Sequence, residues 1–214
     1  MKKNIIVAMT LMLAWLCAGT ASAQLLMKKE YQGRQPQEYY LKGAVPERGG
    51  KVVFNREFEV PGRSRQDLFY AVGRWAELRY APNTVRGEWY EPTYYHNFEF
   101  ANVQIADVDE GNLLCQGDEE MVFTNKVLNR DAARLQYVLQ FHVSDGKVLA
   151  EISQIVYTYT LVEMPERIPA ETWITDSEAI NKKGRLLKAS ARFRVKTVDL
   201  KDELFKEIEE ALNK

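Results

Sequence analysis

Two strands and the turn between them are encoded by residues 133–160, which read ARLQYVLQFHVSDGKVLAEISQIVYTYT. In the first half, apolar residues fall on every second position: Leu135, Tyr137, Leu139, Phe141 and Val143. Such alternation predicts a strand with one buried face and one wetter face. Asp145-Gly146 then predicts a type I′ hairpin turn, because both central residues of that turn need positive φ.

The strand that follows, residues 148–160, is apolar on both parities in places. One parity holds Val148, Ala150, Ile152 and Val156, and the other holds Ile155, Tyr157, Tyr159 and Leu161. Two further strands are predicted upstream, at residues 95–106 and 113–123. Within the first of these the apolar parity changes between Phe100 and Val103, which predicts a bulge near residues 101–102.

Helices are predicted on both sides of these strands. After a strand at residues 52–60, Ser64 and Asp67 form a capping box for a helix with Leu68, Val72, Trp75 and Ala76 on its apolar stripe, widened by Phe69 and Leu78. Near the other end, Thr175 and Glu178 predict a second capping box. No proline follows before Leu212, so we expect a long helix, with a break at Gly184 or around Thr197-Val198.

The predicted order is strand, helix, four strands, long helix. One curved antiparallel sheet with both helices on one face satisfies this α+β order. The arrangement resembles a single repeat of the TATA-binding-protein (TBP) fold. A helix-grip fold is the alternative, although it normally has more strands before its last helix.

Several motifs resemble an uncharacterised domain family of exported Bacteroidetes proteins, described as having a TBP-like fold. They are YLKGAVP at residues 40–46, GKVVF at residues 50–54, and Ser64 at the head of a helix that holds Trp75. The resemblance covers about residues 40–160. It implies the fold and export, and it brings no catalytic residues.

The start of the chain has the pattern of a signal peptide. Lys2 and Lys3 precede an apolar run at residues 5–18, and an Ala-Ser-Ala site ends at Ala23. The run is short for a transmembrane span. Lipidation at Cys17 is disfavoured, since the preceding Leu16 is not small. We expect a signal peptide at 1–23, an extended lead-in at 24–50, a TBP-like domain at 51–164 and a C-terminal helical segment at 165–214, in a periplasmic, cell-surface or secreted protein.

Little in the sequence points to catalysis. Beyond the signal peptide Cys115 is the only cysteine, on an apolar parity typical of a buried thiol. His96 and His142 lack ligand spacing for a metal, and no nucleophile motif is present. The D-x-D-x-G pattern that begins at Asp107 lacks the glutamate of a calcium loop, which favours a plain hairpin turn. We expect neither a cofactor, a metal nor enzymatic activity.

Charge is unevenly distributed, although the formal net charge is only −1. Residues 99–123 contain acidic residues and no basic ones: Glu99, Asp107, Asp109, Glu110, Asp118, Glu119 and Glu120. Residues 182–196 contain basic residues and no acidic ones. Most of these are predicted to share one helical face: Lys182, Arg185, Lys188, Arg192 and Lys196.

That basic face has two interpretations. It is a solvated helix surface, or it docks an anionic partner such as lipopolysaccharide headgroups, an acidic protein or the chain's own acidic hairpin. Nucleic acid is not an expected partner, because carboxylates outnumber cations on the predicted outer face of the sheet. The leading hypothesis is a non-catalytic binding or interaction module. A carrier with an apolar cavity between helices and sheet is the alternative, and a cryptic hydrolase is the third.

The signal peptide gives a first testable prediction. The chain purified from its native host should begin at Gln24 and fractionate outside the cytoplasm, because the cleavage site ends at Ala23. N-terminal sequencing checks this, and retention of Met1 in the native host would contradict it.

Overall fold

The fold is a curved antiparallel sheet with two long helices on one face, and the computed structural model describes it over residues 33–80, 102–126, 129–160 and 165–214. The strands are β1 (Glu47–Arg48), β2 (Lys51–Val52), β3 (Phe54–Glu59), β4 (Asn102–Asp107), β5 (Asn112–Lys126), β6 (Asn129–Ser144), β7 (Lys147–Thr160) and β8 (Pro165–Pro169). The helices are α1 (Arg65–Arg79), α2 (Asp176–Ala179) and α3 (Lys188–Leu212).

Within the described residues, the main sheet has six strands. Its order is β3-β7-β6-β5-β4, and β8 lies on the same side of β7 as β3. β3 pairs with residues 147–152 of β7, and β8 pairs with residues 156–160. The predicted α+β order and the packing of helices on one face are confirmed. The short β1–β2 hairpin and β8 were not predicted.

The alternating residues of β6 face the helices as the sequence predicts. All are almost completely buried: Leu135, Tyr137, Leu139, Phe141 and Val143. Ser144 pairs with Lys147, so the predicted two-residue hairpin is confirmed, with Gly146 at φ of 70°. Asp145 does not have positive φ, so the predicted type I′ turn is wrong. This strand is therefore the centre of the core.

The expectation that Val156 shares one face of β7 with Val148, Ala150 and Ile152 is wrong. The β6–β7 register shifts between Gln136 and Val138, and Gln154 on β7 has φ of 52°. An extra residue at this bulge reverses the side-chain alternation. As a result Ile152, before the bulge, and Ile155, after it, are both buried, although they have opposite parity in the sequence.

β4 also contains a bulge. The β4–β5 register shifts between Val103 and Ile105, so the extra residue is Gln104. The bulge expected near residues 101–102 involves residue 101, which lies outside the described residues. Phe98 and Phe100, which suggested the change of parity, lie outside the described residues. Ile105 is 54% exposed, since the bulge moves it away from the core face.

α1 follows the prediction except at one position. The Ser64 hydroxyl accepts a hydrogen bond from the Asp67 backbone N–H at 3.1 Å, as a helix cap does. Trp75 is partly buried and contacts the ring of Phe141 edge-on, with centroids 5.9 Å apart. Leu78 is 61% exposed, because at 100° per residue it lies on the opposite face from buried Ala76.

The helix expected from Thr175 to Leu212 is divided at Gly184. α2 has only four residues, a turn with Gly184 at φ of 71° follows, and α3 then runs for 25 residues through Thr197 and Val198. Thr175 precedes α2 without capping it through its side chain. Its hydroxyl instead donates to the carbonyl oxygen of Glu171 at 3.4 Å, so the second capping box was wrongly predicted.

The side chain of Arg194, on α3, is fully buried and joins three parts of the chain. Its Nε donates to the carbonyl oxygen of Tyr40 at 2.7 Å, its Nη1 to that of Ile174 at 2.6 Å, and its Nη2 to that of Leu41 at 2.6 Å. The same Nη2 pairs with the Asp176 carboxylate at 2.6 Å. The guanidinium thus connects the lead-in, the α2 segment and α3.

Asp199 holds the lead-in at a second point on α3. Its carboxylate accepts the hydroxyl of Tyr40 at 2.5 Å and the backbone N–H of Arg34 at 3.1 Å. The backbone at residue 33 can approach Tyr40 this closely only because residue 33 is glycine: a Cβ on Gly33 would lie 2.1 Å from the Tyr40 hydroxyl oxygen. Tyr40 and Val45 are accordingly part of the same core as the sheet.

Arg194 gives a stability prediction. Arg194→Met should lower the free energy of unfolding by roughly 3–5 kcal/mol, the range for removing one partner of a buried ion pair, because backbone carbonyls and Asp176 lose their donor. Equilibrium urea unfolding measures the change. Lys196→Met, at an exposed position of the same helix, is the control and should stay within about 0.5 kcal/mol. Equal losses for the two variants would contradict the proposed role of the guanidinium.

Candidate functional site

The predicted basic helical face does not form as one surface. Lys188, Arg192 and Lys196 lie on α3, whereas Lys182 and Arg185 lie in the turn before it. The prediction placed all five cations on one helical face, whereas the chain forms a turn with Gly184 at positive φ before α3 begins at Lys188. Two groups of cations result, and they have different environments.

Arg192 belongs to the fold rather than to a free surface. Its guanidinium forms an ion pair with Asp131 and donates to the Tyr159 hydroxyl at 2.7 Å. It also lies 4.4 Å from the ring centroid of Phe123, which is a favourable cation–π distance. Its side chain is only 23% exposed, so Arg192 is wrongly placed among the predicted docking residues.

The remaining cations converge on one exposed segment, residues 181–188, which we call the cationic turn. Its side chains Lys182, Lys183, Arg185 and Lys188 are all exposed. In the described parts of the chain, none of them forms an ion pair. Lys196, two helical turns further along α3, is exposed as well.

The backbone of the cationic turn is fixed by Asn181. Its side-chain oxygen accepts the backbone N–H groups of Lys183 at 2.8 Å and Arg185 at 3.1 Å. The Asn181 backbone N–H donates to the Arg185 carbonyl oxygen at 2.9 Å, and its own carbonyl accepts the Gly184 N–H at 2.9 Å. Ile180 and Leu186 then form a β-bridge at the base. The cations are thus presented on a defined loop.

The tip of the cationic turn also carries an apolar residue and an open helix end. Leu187 is 41% exposed, whereas the neighbouring Leu186 packs against the core. Leu187 is also the N-cap of α3 and provides no side-chain hydrogen bond to the first turn. The N–H groups of that turn therefore receive no capping oxygen from Leu187.

Some carboxylates of the acidic hairpin, which comprises residues 99–123, form ion pairs with arginines. Asp118 is paired with Arg134, whose Nε donates to the carboxylate at 2.7 Å, and Glu119 is paired with Arg79 at 2.6 Å. Asp107, Asp109 and Glu110 stay exposed at the β4–β5 turn. Glu99 lies outside the described residues.

The cationic turn and this acidic β4–β5 turn lie at opposite ends of the sheet. Val143, near the end of β6, donates its N–H to Gly111 in the acidic turn at 2.8 Å. Asp131, near the start of β6, pairs with Arg192 beside the cationic turn. The exposed carboxylates of the β4–β5 turn therefore lie away from the cationic turn of the same molecule, and docking of the basic set on the rest of the acidic hairpin stays a hypothesis.

A polar cluster on the core side of the sheet was missed by sequence reasoning. The Glu119 carboxylate accepts the hydroxyl of Tyr137 at 2.7 Å as well as the Arg79 guanidinium, and the hydroxyls of Tyr137 and Tyr80 lie 3.1 Å apart. Burial raises the pKa of both tyrosines. Gly117 was the signal in the sequence that could have indicated this cluster, because a Cβ at that position would lie 2.0 Å from the Tyr137 ring.

Of the cysteine and histidine side chains, the described residues include Cys115 and His142. Cys115 is buried, and burial raises the pKa of its thiol to about 12, as expected for a core cysteine. His142 is exposed, with Nδ1 2.6 Å from Asn112 Oδ1. His96 lies outside the described residues. Among the residues that the structure describes, no group of three His, Cys, Asp or Glu side chains could hold a metal ion.

The space between α3 and the sheet is small. A cavity of about 10 Å³ is lined by residues that include Phe54, Leu135, Ile152 and Leu204. That volume corresponds to roughly one water molecule. Over the described ranges, no helix is both long enough and apolar enough to cross a bilayer.

The architecture defines an α+β protein of the TBP-like class. A family model described as "Domain of unknown function (DUF4468) with TBP-like fold" matches residues 54–158. The crystal structure of a DUF4468 family protein from Bacteroides ovatus ATCC 8483 is similar with a TM-score of 0.72 and 31% identity, covering 85% of this chain and 97% of that one. The chain therefore belongs to the DUF4468 family.

A second solved structure agrees on the fold. A TBP-like protein from Parabacteroides distasonis ATCC 8503 has a TM-score of 0.62 and 20% identity, covering 79% of this chain and 97% of that one. A search of curated proteins gives no match. The resemblance to a Bacteroidetes family with a TBP-like fold is thus confirmed.

The buried tyrosines predict a loss of stability at alkaline pH. Burial, followed by the hydrogen bond to Asp199, raises the pKa of Tyr40 to about 12, above the unfolded value of about 10. The fold therefore holds the proton more tightly, so this contribution is complete below pH about 10 and is lost as the pH rises toward about 12. Unfolding measured across this window should show falling stability, with a smaller slope in Tyr40→Phe. Tyr70→Phe, at a position 58% exposed, should keep the slope of the unaltered chain.

Proposed function

We propose that the protein is an exported, non-catalytic binding module that docks an anionic component of the cell envelope through the cationic turn. The observation that carries this proposal is the set of exposed cations Lys182, Lys183, Arg185 and Lys188, which have no ion-pair partner in the described structure. Clustered like charges repel one another, and a polyanion relieves that repulsion while releasing its counterions.

The position of these cations at and just before the start of α3 supports a role in binding rather than in stability. The N-terminus of a helix carries a partial positive charge and favours acidic residues. α3 has no acidic residue in its first turn and begins with Lys188, directly after the other cations of the turn. Cations at this end of α3 are repelled by the positive end of the helix dipole, so stabilisation of the fold does not account for their placement.

The way in which the cationic turn is held also supports the proposal. Asn181 fixes the loop from within, and Asp176 of the preceding α2 pairs with the buried Arg194. Charges on a defined loop lose less conformational entropy on binding than charges on a mobile tail. The turn therefore presents its cations to an anionic surface in one defined arrangement.

Other observations favour this function over the alternatives. The cavity of about 10 Å³ under α3 leaves room for about one water rather than for an apolar ligand. Cys115 is buried, and exposed His142 contacts an asparagine rather than a carboxylate. The outer sheet face carries Glu57, Glu59 and Asp118, the last already paired with Arg134, so it is not proposed to bind nucleic acid.

A titration with a soluble polyanion tests the proposal. Heparin should bind the unaltered protein with a strong dependence on salt, and the triple variant K182E/K183E/R185E should bind at least about tenfold more weakly with a shallower salt slope. The measurement is affinity against salt concentration. Binding that is unchanged by the triple variant would refute a role for the turn.

Matched variants separate local charge from net charge and from folding. Reversal of Lys51, Arg74 and Lys206 changes the net charge equally at exposed positions elsewhere and should leave heparin affinity nearly unchanged. Lys188→Glu should weaken heparin binding while raising the free energy of unfolding by about 0.3–1 kcal/mol, because it restores a favourable charge at the helix N-terminus. A Lys188→Glu variant that loses both binding and stability would contradict the assignment.

A further inference from the structure

We infer that the anionic partner of the cationic turn is the headgroup layer of a lipid bilayer, with Leu187 inserting between the headgroups. This inference rests on the proposed function and specifies its partner. The turn reads NKKGRLLK at residues 181–188, and the exposed Leu187 lies directly between its partly buried neighbour Leu186 and the exposed Lys188.

The side chains of this tip match the chemistry of a headgroup layer. Lysine and arginine place long apolar stems along acyl chains while their charges stay at the level of the phosphates. A leucine among them adds apolar area that a water-soluble polyanion cannot bury. Basic segments gain attraction to anionic lipid for each cation near the surface.

The first turn of α3 adds donors at the same tip. Leu187 caps the helix without a side-chain hydrogen bond, so the backbone N–H groups that follow it are directed toward the end that carries the cations. Phosphate oxygens accept such N–H groups readily. The tip therefore combines fixed cations, backbone donors and one apolar side chain within a few residues.

An acidic protein is a less suitable partner for this surface. A protein interface of standard size contains a central apolar cluster that excludes water. The turn presents one exposed leucine surrounded by lysine and arginine, which is a point of contact rather than a face. A fluid headgroup layer adapts to a single protruding tip, whereas a folded partner needs a complementary surface.

Vesicle co-sedimentation tests the inference. The protein is purified in the processed form that its host exports, with its N-terminus established by sequencing, so that every variant lacks the same segment. It should bind vesicles of phosphatidylcholine with phosphatidylglycerol and leave vesicles of phosphatidylcholine alone unbound. Leu187→Ala should weaken binding to the anionic vesicles about three- to tenfold, as expected for a partly inserted leucine, and leave heparin affinity unchanged.

Two comparisons make the outcomes distinct. Leu78→Ala removes another exposed leucine, on α1, and should not change vesicle binding. If Leu187→Ala binds anionic vesicles as well as the unaltered protein does, or if those vesicles are not bound, the lipid inference is overturned while turn-dependent heparin binding still supports the proposed function. If K182E/K183E/R185E changes neither heparin nor vesicle binding, both proposals fail together.

Discussion

The buried guanidinium of Arg194 is the interaction on which the rest of the structure depends. A charge without solvent is costly unless it is paired and hydrogen-bonded. Arg194 meets this condition only when the carbonyl oxygens of Tyr40, Leu41 and Ile174 and the carboxylate of Asp176 surround it together. The lead-in and the α2 segment are therefore ordered by the same ion, and the cationic turn begins from a fixed base.

Much of the fold could be predicted because the relevant signals are local. The alternation in β6, the Asp145-Gly146 turn and the Ser64 cap each depend on neighbouring residues. The bulge at Gln154 was not visible in that way. Apolar residues on both parities of β7 are equally consistent with two buried faces or with one face and an extra residue, and only pairing with β6 decides between them.

The candidate site was only partly predictable for a related reason. Arg192, Arg194 and Lys196 look alike as cations in a sequence, yet the first lies against Phe123, the second is buried and the third is exposed. Burial of a cation is set by carboxylates, carbonyls and rings from distant segments. Lys182, Arg185 and Lys188 were correctly predicted to be exposed cations. The sequence could not show, however, whether the helix breaks at Gly184, which places these cations in one turn, or at Thr197-Val198.

The order of charges along α3 gives the molecule a direction. The cations of the cationic turn, at its start, have no ion-pair partner among the described residues, whereas Glu203, Glu207, Glu209 and Glu210 toward its end pair with Arg34, Arg79, Arg56 and Lys206. The positive end of the backbone dipole of this helix of 25 residues, about 37 Å long, therefore coincides with unpaired positive charge. Near a negatively charged surface the field exerts a torque within about a Debye length. Under the proposed function, this torque would turn the molecule before contact, so that the start of α3 arrives first.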